Sequence, residues 1–215
     1  MGKIYMLMGK SGCGKDTILK GLLAINKDVK PIIPYTTRSK RVGEVDGVEY
    51  FFRDERHLSD AIISGRLIEY RTYHKVEGDV SYYTLKDTQF EYLKEGNCIV
   101  IGTLDVYNSY VKHFGAENII PIYINVPELE RLNRMLEREK KESKPAVIEV
   151  CRRLVDDNRE FAYDKLCEVD KLYIIDNQNL TDAVLLLNKM ITAFEYYNFF
   201  TVKDYTEDML LYGKD

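Results

Sequence analysis

An α/β chain with a parallel sheet flanked by helices is expected on three grounds. Short apolar runs alternate with amphipathic helical patterns along most of the 215 residues, as strand–helix–strand units do. A Gly-rich turn, Gly9–Gly14, separates the first apolar run from the first helical pattern. No repeat, low-complexity tract or Pro/Gly/Ser linker breaks the alternation, and the length suits one domain with at most a small appended lobe.

Taken in order, Lys3–Met8 is expected to be the first strand, and Lys15 to about Ala24 the helix after the turn. Val29–Tyr35 reads as a second strand weakened by Pro31 and Pro34, because proline cannot donate to a ladder. Leu67–Val76 and Val80–Leu85 flank Glu77-Gly78-Asp79 and predict an antiparallel hairpin. Asp87–Glu95 is expected as a helix capped by Asp87 and stopped by Gly96, feeding the buried strand Cys98–Ile101. Ile119–Asn125 is a strand leading to helix Pro127–Lys141, and a second long helix starts near Pro145. Leu172–Asp176 is the last core strand and Thr181–Glu195 the last core helix.

Composition removes several function classes. With 31 Lys+Arg against 35 Asp+Glu the formal charge is −4, which argues against a protein that coats nucleic acid or a membrane surface. The apolar run Ile4–Met8 stops at Gly9, too short for a signal-peptide core or a membrane span. Met1-Gly2 opens like a myristoylation site, but Met6 stands where Ser or Thr is needed. Cys13, Cys98, Cys151 and Cys167 have no C-x-x-C spacing and no His partners. They predict reduced thiols in a cytoplasmic protein, without disulfides or a structural metal.

Gly9-Lys10-Ser11-Gly12-Cys13-Gly14-Lys15 fits G-x-x-x-x-G-K between a strand and a helix. Glycines there let backbone N–H groups converge on phosphate oxygens, the helix N-terminus adds partial positive charge, and Lys15 brings a mobile full charge. That context predicts a P-loop NTPase-type sheet and an ATP site over Gly9–Thr17. Asp16 stands where the motif has a Mg²⁺-binding Ser or Thr, and Thr17 lies about 100° further round the helix. Asp16 is therefore expected to bind Mg²⁺ directly, to bind it through water, or to cap the helix.

A second anion site is expected in Thr36-Thr37-Arg38-Ser39-Lys40-Arg41-Val42-Gly43-Glu44-Val45-Asp46-Gly47-Val48-Glu49-Tyr50-Phe51-Phe52. Two arginine forks and a tyrosine hydroxyl suit a single phosphate; alone, the two arginines would read as a solvated basic loop. The whole string resembles the signature of the guanylate kinase family, with only Arg53 outside the pattern. Further resemblance runs through Leu67-Ile68-Glu69, Tyr82-Tyr83, Arg152-Arg153-Leu154 and Glu160-Phe161-Ala162-Tyr163, and covers roughly residues 3–192.

That resemblance implies an ATP:GMP phosphotransferase in which Arg38, Arg41, Tyr50 and Tyr83 hold the acceptor's phosphate and Glu69 reads guanine N1–H and its amino group. Glu69 otherwise reads as a surface strand residue paired with Arg71. Pro34, Thr84-Leu85 and Ile101-Gly102-Thr103 replace polar groups of the family pattern, which predicts looser base discrimination. Gly-Lys-Asp and Ile-Gly-Thr are also similar to ribose 1,5-bisphosphate phosphokinases, so a sugar-phosphate acceptor is the alternative. A non-catalytic scaffold domain is the other, although a scaffold has no use for Lys15.

Pro127–Lys141 places Leu129, Leu132 and Leu136 on one face and Arg131, Arg134 and Arg138 on the other. The arginine face is either solvated or meets an anion when a lid closes. By the resemblance, Arg134 and Arg138 are catalytic with Lys15, although they stand one residue early counted from Pro127; Arg153 matches without a shift. Asp176-Asn177 resembles the family's adenine-side pair. The expected organisation is a kinase-like domain over 1–195 and an aromatic extension over 196–215. Within it lie a core (1–35, 97–126 and 164–195), a small β-rich monophosphate-binding insertion (about 36–90) and a helical lid (about 127–160). The expected ligands are ATP with Mg²⁺ and a nucleoside monophosphate, with no nucleic acid or membrane, in a monomer or homodimer.

Overall fold

The computed structural model describes residues 2–41, 43–75, 78–141, 146–194 and 199–213. Its strands are β1 (Ile4–Met8), β2 (Val29–Pro31), β3 (Tyr35–Thr36), β4 (Phe51–Phe52), β5 (Leu67–Lys75), β6 (Gly78–Leu85), β7 (Asn97–Ile101), β8 (Ile119–Asn125) and β9 (Tyr173–Asp176). Its helices are α1 (Lys15–Ile25), α2 (Glu55–Ile63), α3 (Leu104–Phe114), α4 (Glu128–Glu139), α5 (Val147–Glu160), α6 (Tyr163–Glu168), α7 (Leu180–Thr192) and α8 (Glu207–Tyr212). A five-stranded sheet has the order β2-β7-β1-β8-β9, with β2 parallel to β7 and β8 parallel to β9. This is the α/β architecture expected from the alternation.

Cα packing divides the chain into two compact units. One comprises Met1–Ile4, Val29–Val100 and Asp105–Ile119, the other Tyr5–Asp28, Ile101–Leu104 and Ile120–Asp215. The first contains the small sheet β4-β3-β6-β5, a β5–β6 hairpin widened by two short strands. Helix α2, capped by the Asp54 side chain, buries Leu58 and Ala61 against Tyr83 and Leu85 on one face of that sheet. Val29–Tyr35 is not one strand. It splits into β2 and β3, which belong to different sheets, because Pro31 and Pro34 interrupt the run of donors. The expected helix over Asp87–Glu95 is a 3₁₀ segment, Thr88–Lys94, with the Asp87 side chain accepting from Gln89 N–H.

In the second unit β8 is an apolar run buried along nearly its whole length, and β9 pairs with it from Ile122↔Tyr173 to Asn125↔Asp176. Helix α7 starts at Asn179, whose side chain accepts from Thr181 and Asp182 N–H, and it packs against α1. The described part of the aromatic tail adds to the free side of β9. Phe200 O accepts from Ile174 N–H (2.9 Å), Leu172 O accepts from Val202 N–H (2.8 Å), and the Tyr205 hydroxyl donates to Asp176 (2.7 Å). The tail thus covers an edge that would otherwise expose ladder groups. Tyr196 and Tyr197 lie outside the described residues, as does the expected helix start at Pro145; α5 is described from Val147. Among the described residues no helix is long and apolar enough to cross a membrane. All four cysteines are free, Cys13 and Cys98 buried and Cys151 and Cys167 exposed.

Candidate active site

The loop between β1 and α1 is shaped by backbone that only glycine adopts without strain. Gly12 and Gly14 have φ of 81° and 90°. A Cβ on Gly12 would meet Arg131 O at 2.8 Å, and one on Gly14 would meet Asn177 Nδ2 at 2.6 Å. Lys15 Nζ bends back over the loop and donates to Gly9 O (2.6 Å) and Lys10 O (3.3 Å). Lys10 is itself buried and donates to Asn158 Oδ1 (2.6 Å), while Ser11 N–H donates to Asp157 Oδ2 (2.6 Å). Desolvation, with Arg131 nearby, lowers the Lys10 pKa.

Beside the loop is a cavity of about 190 Å³ lined by Ser11, Gly12, Gly14, Lys15 and Asp16, by Arg134 and Arg138 of α4, and by Arg153 of α5. Four cationic side chains against two carboxylates, Asp16 and Glu139, leave this small space net positive, which favours a polyanion. Gly9, Lys10, Cys13 and Thr17 do not line this cavity. Arg134 is held by Glu130 Oε1 (2.5 Å) and by Asn177 O (3.0 Å), and Arg153 Nε donates to Glu149 Oε1 (3.1 Å). The Arg152 hydrogen bond, aided by Arg153 and opposed by burial, brings the Glu149 carboxyl to about 2.

The faces of α4 differ from the expected ones. Leu129 is 70% exposed, whereas Arg131 is buried at 2% and Met135 packs beside it. Arg131 belongs to the support of the loop, donating to Ser11 O (3.2 Å) and facing Glu128 (3.7 Å) and Asp157 (4.0 Å). These acids offset the burial of the guanidinium. Asn177 is likewise structural. Its Nδ2 donates to Cys13 O (2.8 Å) from a buried position, so the expected adenine-side role is not available to that group as it stands.

The expected second anion site lies on the small sheet. Arg38 pairs both terminal nitrogens with Glu44, each at 2.8 Å, and Arg41 N–H donates to the same carboxylate (2.7 Å). The Arg38 hydrogen bond holds Glu44 below the usual carboxylate range against the opposing effect of burial. The Arg38 guanidinium lies 5.4 Å from the ring centroids of both Tyr50 and Phe52. Tyr82 stands edge-on to Tyr50 at 5.4 Å, and its phenol lies against Arg38. Arg41 itself is exposed.

The expected role of Tyr83 is corrected by the register of the hairpin. Tyr83 is fully buried on the opposite face, stacked on Tyr35 with its hydroxyl 2.8 Å from His57 Nδ1. Tyr82 and Thr84, two residues apart, share the face of Arg38 and Glu69, because side chains alternate along a strand. A β-bulge between Leu67 and Glu69 produces this arrangement. It lets Leu67 pair with Leu85 toward the core, while Glu69 pairs with Thr84 on the other face.

Glu69 is buried, and its Oε1 accepts from the Thr84 hydroxyl (2.8 Å). Its Oε2 lies 3.4 Å from Arg71 Nε. Burial raises the Glu69 pKa, with Arg71 and Thr84 opposing. A hydroxyl is therefore present beside this carboxylate, which removes part of the basis for expecting loose base discrimination. The position after β7 does lack a carboxylate; Asp105, the nearest acid, is exposed in the first turn of α3.

Residues 1–194 match the family model described as guanylate kinase. The chain is 31% identical over 194 residues to guanylate kinase from Caldanaerobacter subterraneus subsp. tengcongensis, covering 89% of this chain and 87% of that protein. It is 30% identical over 186 residues to guanylate kinase from Mesoplasma florum, covering 85% of this chain and 58% of that longer protein. The crystal structure of guanylate kinase from Anaplasma phagocytophilum aligns with a TM-score of 0.64 at 16% identity, covering 92% of this chain and 88% of that one, a likeness of fold. With a family model that matches residues 1–194 and a relative 31% identical across most of both chains, this chain belongs to the guanylate kinase family.

Proposed function

We propose that this chain is an ATP-dependent kinase that moves the γ-phosphoryl group of ATP to GMP, giving ADP and GDP. The observation that carries the reading is Glu69, a buried carboxylate on the sheet face that also holds Arg38, Tyr50 and Tyr82. Guanine presents two adjacent donors, N1–H and the amino group, and a carboxylate accepts both; adenine offers no such pair. Arg38 and Arg41 take the acceptor's phosphate, with Tyr50 and Tyr82 adding hydroxyl donors.

Lys15 and the backbone N–H groups from Gly12 to Asp16 hold the β and γ phosphates of ATP. Arg134, Arg138 and Arg153 neutralise charge on the phosphoryl group as its bond to ADP breaks and its bond to the GMP phosphate oxygen forms. The acceptor oxygen is already anionic, so no general base is required. In this reading residues 36–90 are the acceptor-binding insertion and 127–160 the lid. Among the described residues no cluster of three acidic, His or Cys side chains forms a metal site. The donor set fits Mg²⁺ carried mainly by the nucleotide's phosphates with Asp16, exposed at the cavity, as its protein ligand. Bound there, Mg²⁺ would offset phosphate charge. The free thiols support the cytoplasm as its place of action.

A coupled assay of ADP release against GMP, dGMP, AMP, IMP and ribose phosphates tests the proposal. Turnover restricted to guanine nucleotides supports it, and turnover of a sugar phosphate alone refutes it.

A further inference from the structure

Beside Glu69 on the same strand face is Arg71, and the two form an ion pair of opposite signs where a base is to be read. Arg71 Nε lies 3.4 Å from Glu69 Oε2, and the Arg71 side chain keeps 22% of its surface against 4% for Glu69. Glu69 Oε1 is taken by the Thr84 hydroxyl, while its Oε2 is buried without a hydrogen bond among the described residues. A terminal nitrogen of Arg71 lies 3.5 Å from the Tyr73 hydroxyl, on the same row of side chains. The pair therefore presents an acceptor and a donor side by side, one buried deeply and the other reaching toward solvent.

We propose that Arg71 is a specificity-determining residue of the acceptor site, donating to guanine O6 while Glu69 accepts from N1–H and the amino group. The inference rests on the GMP-kinase reading above. Guanine carries its O6 acceptor directly beside its N1–H donor, and a guanidinium fork matches the O6/N7 edge. A donor next to an acceptor, as Arg71 and Glu69 provide, is the complement of that edge. Adenine reverses both signs. Its N1 acceptor would face the carboxylate and its amino group the guanidinium, so the pair rejects AMP at two points rather than one. Arg71 thus supplies the polar recognition that Pro34 and Leu85 cannot.

The test measures kcat/KM for GMP, IMP and AMP in the wild type, Arg71→Ala and Arg71→Lys. IMP keeps O6, N7 and N1–H and lacks only the amino group, which Glu69 reads. Arg71→Ala is expected to lower GMP and IMP alike, to compress the GMP/AMP ratio about tenfold or more, and to leave the GMP/IMP ratio within about threefold. Arg71→Lys keeps the charge and should recover part of the GMP/AMP ratio, and its melting curve separates lost recognition from lost folding. An unchanged GMP/AMP ratio in folded Arg71→Ala overturns the proposal. A GMP/IMP ratio falling in step also overturns it, since Arg71 would then merely hold Glu69 in place. A wild type that phosphorylates no purine monophosphate refutes the kinase reading itself, and this proposal with it.

Discussion

Replacing Glu69 with glutamine keeps the shape of the acceptor site while removing its negative charge and one of its two acceptor oxygens. Hydrogen bonds to a charged group are worth about 1.5–3 kcal/mol each. The carboxylate side chain is 4% exposed, so water cannot substitute for a lost partner. Losing one such bond predicts a fall of about tenfold to 150-fold in kcat/KM for GMP, at 1.36 kcal/mol per factor of ten. AMP should lose nothing, because a glutamine amide can donate to adenine N1 and accept from its amino group. The GMP/AMP ratio is the decisive number, read by coupled ADP release with circular dichroism as the check on folding.

The same substitution reports on pH. Burial holds the Glu69 carboxyl above the ordinary 4.5, with Arg71 and Thr84 opposing. Tyr110 of α3, the other titratable group sensed there, is kept neutral by burial. Because the folded chain binds this proton more tightly than the unfolded chain, ligand-free stability falls as pH rises from 4.5 through the raised folded value. Base reading needs the ionised form, so GMP turnover falls as pH drops through that interval. The phosphate monoester ionises at about 6 in its own right, but this cancels in the ratio of wild type to Glu69→Gln. A GMP/AMP ratio untouched by the substitution, or a pH-independent ratio of the two profiles, would refute the assignment of Glu69 to the base.

Lys15→Ala is expected to fold, since the hydrogen bonds of Nζ among the described residues stay within its own loop, to Gly9 O, Lys10 O and Cys13 Sγ, and to lower phosphoryl transfer more than about a hundredfold; single-turnover kinetics would expose wild-type activity. Arg38→Ala and Arg41→Ala should raise KM for the acceptor far more than KM for ATP, and equal effects on both would contradict separate pockets. Arg38→Ala also strands Glu44, so the stability that Glu44 adds as pH rises from its lowered folded value to the ordinary 4.5 should disappear in urea titrations compared at about pH 3 and 7. Tyr82→Phe should impair acceptor binding with little change in melting temperature, while Tyr83→Phe should cost about 1 kcal/mol of stability through the lost His57 hydrogen bond; the reverse pattern would mean that the hairpin register is different.

Features that depend on near neighbours along the chain are readable from the amino-acid order. Strand β8 follows from its apolar run, residue for residue, and β1 with α1 from an apolar run and a helical pattern joined by a glycine loop. The bonds of Lys15 to Gly9 O and of Arg38 to Glu44 each span six residues, whereas the arginines beside Lys15 and the Tyr82 phenol beside Arg38 come from distant segments. Packing between distant segments sets the rest. Alternation along β6 pairs Tyr82 with Thr84, but whether that pair shares the face of Glu69 depends on a bulge around Ile68 of the partner strand. A one-residue shift there exchanges the faces of every side chain beyond it. Helix α4 shows the same limit, because its period is visible whereas the surface it meets is not. Its buried face is set by the phosphate loop, which requires Arg131 and leaves Leu129 in solvent. Local pattern fixes how side chains repeat, and only the packed partner decides which of the repeating faces is turned inward.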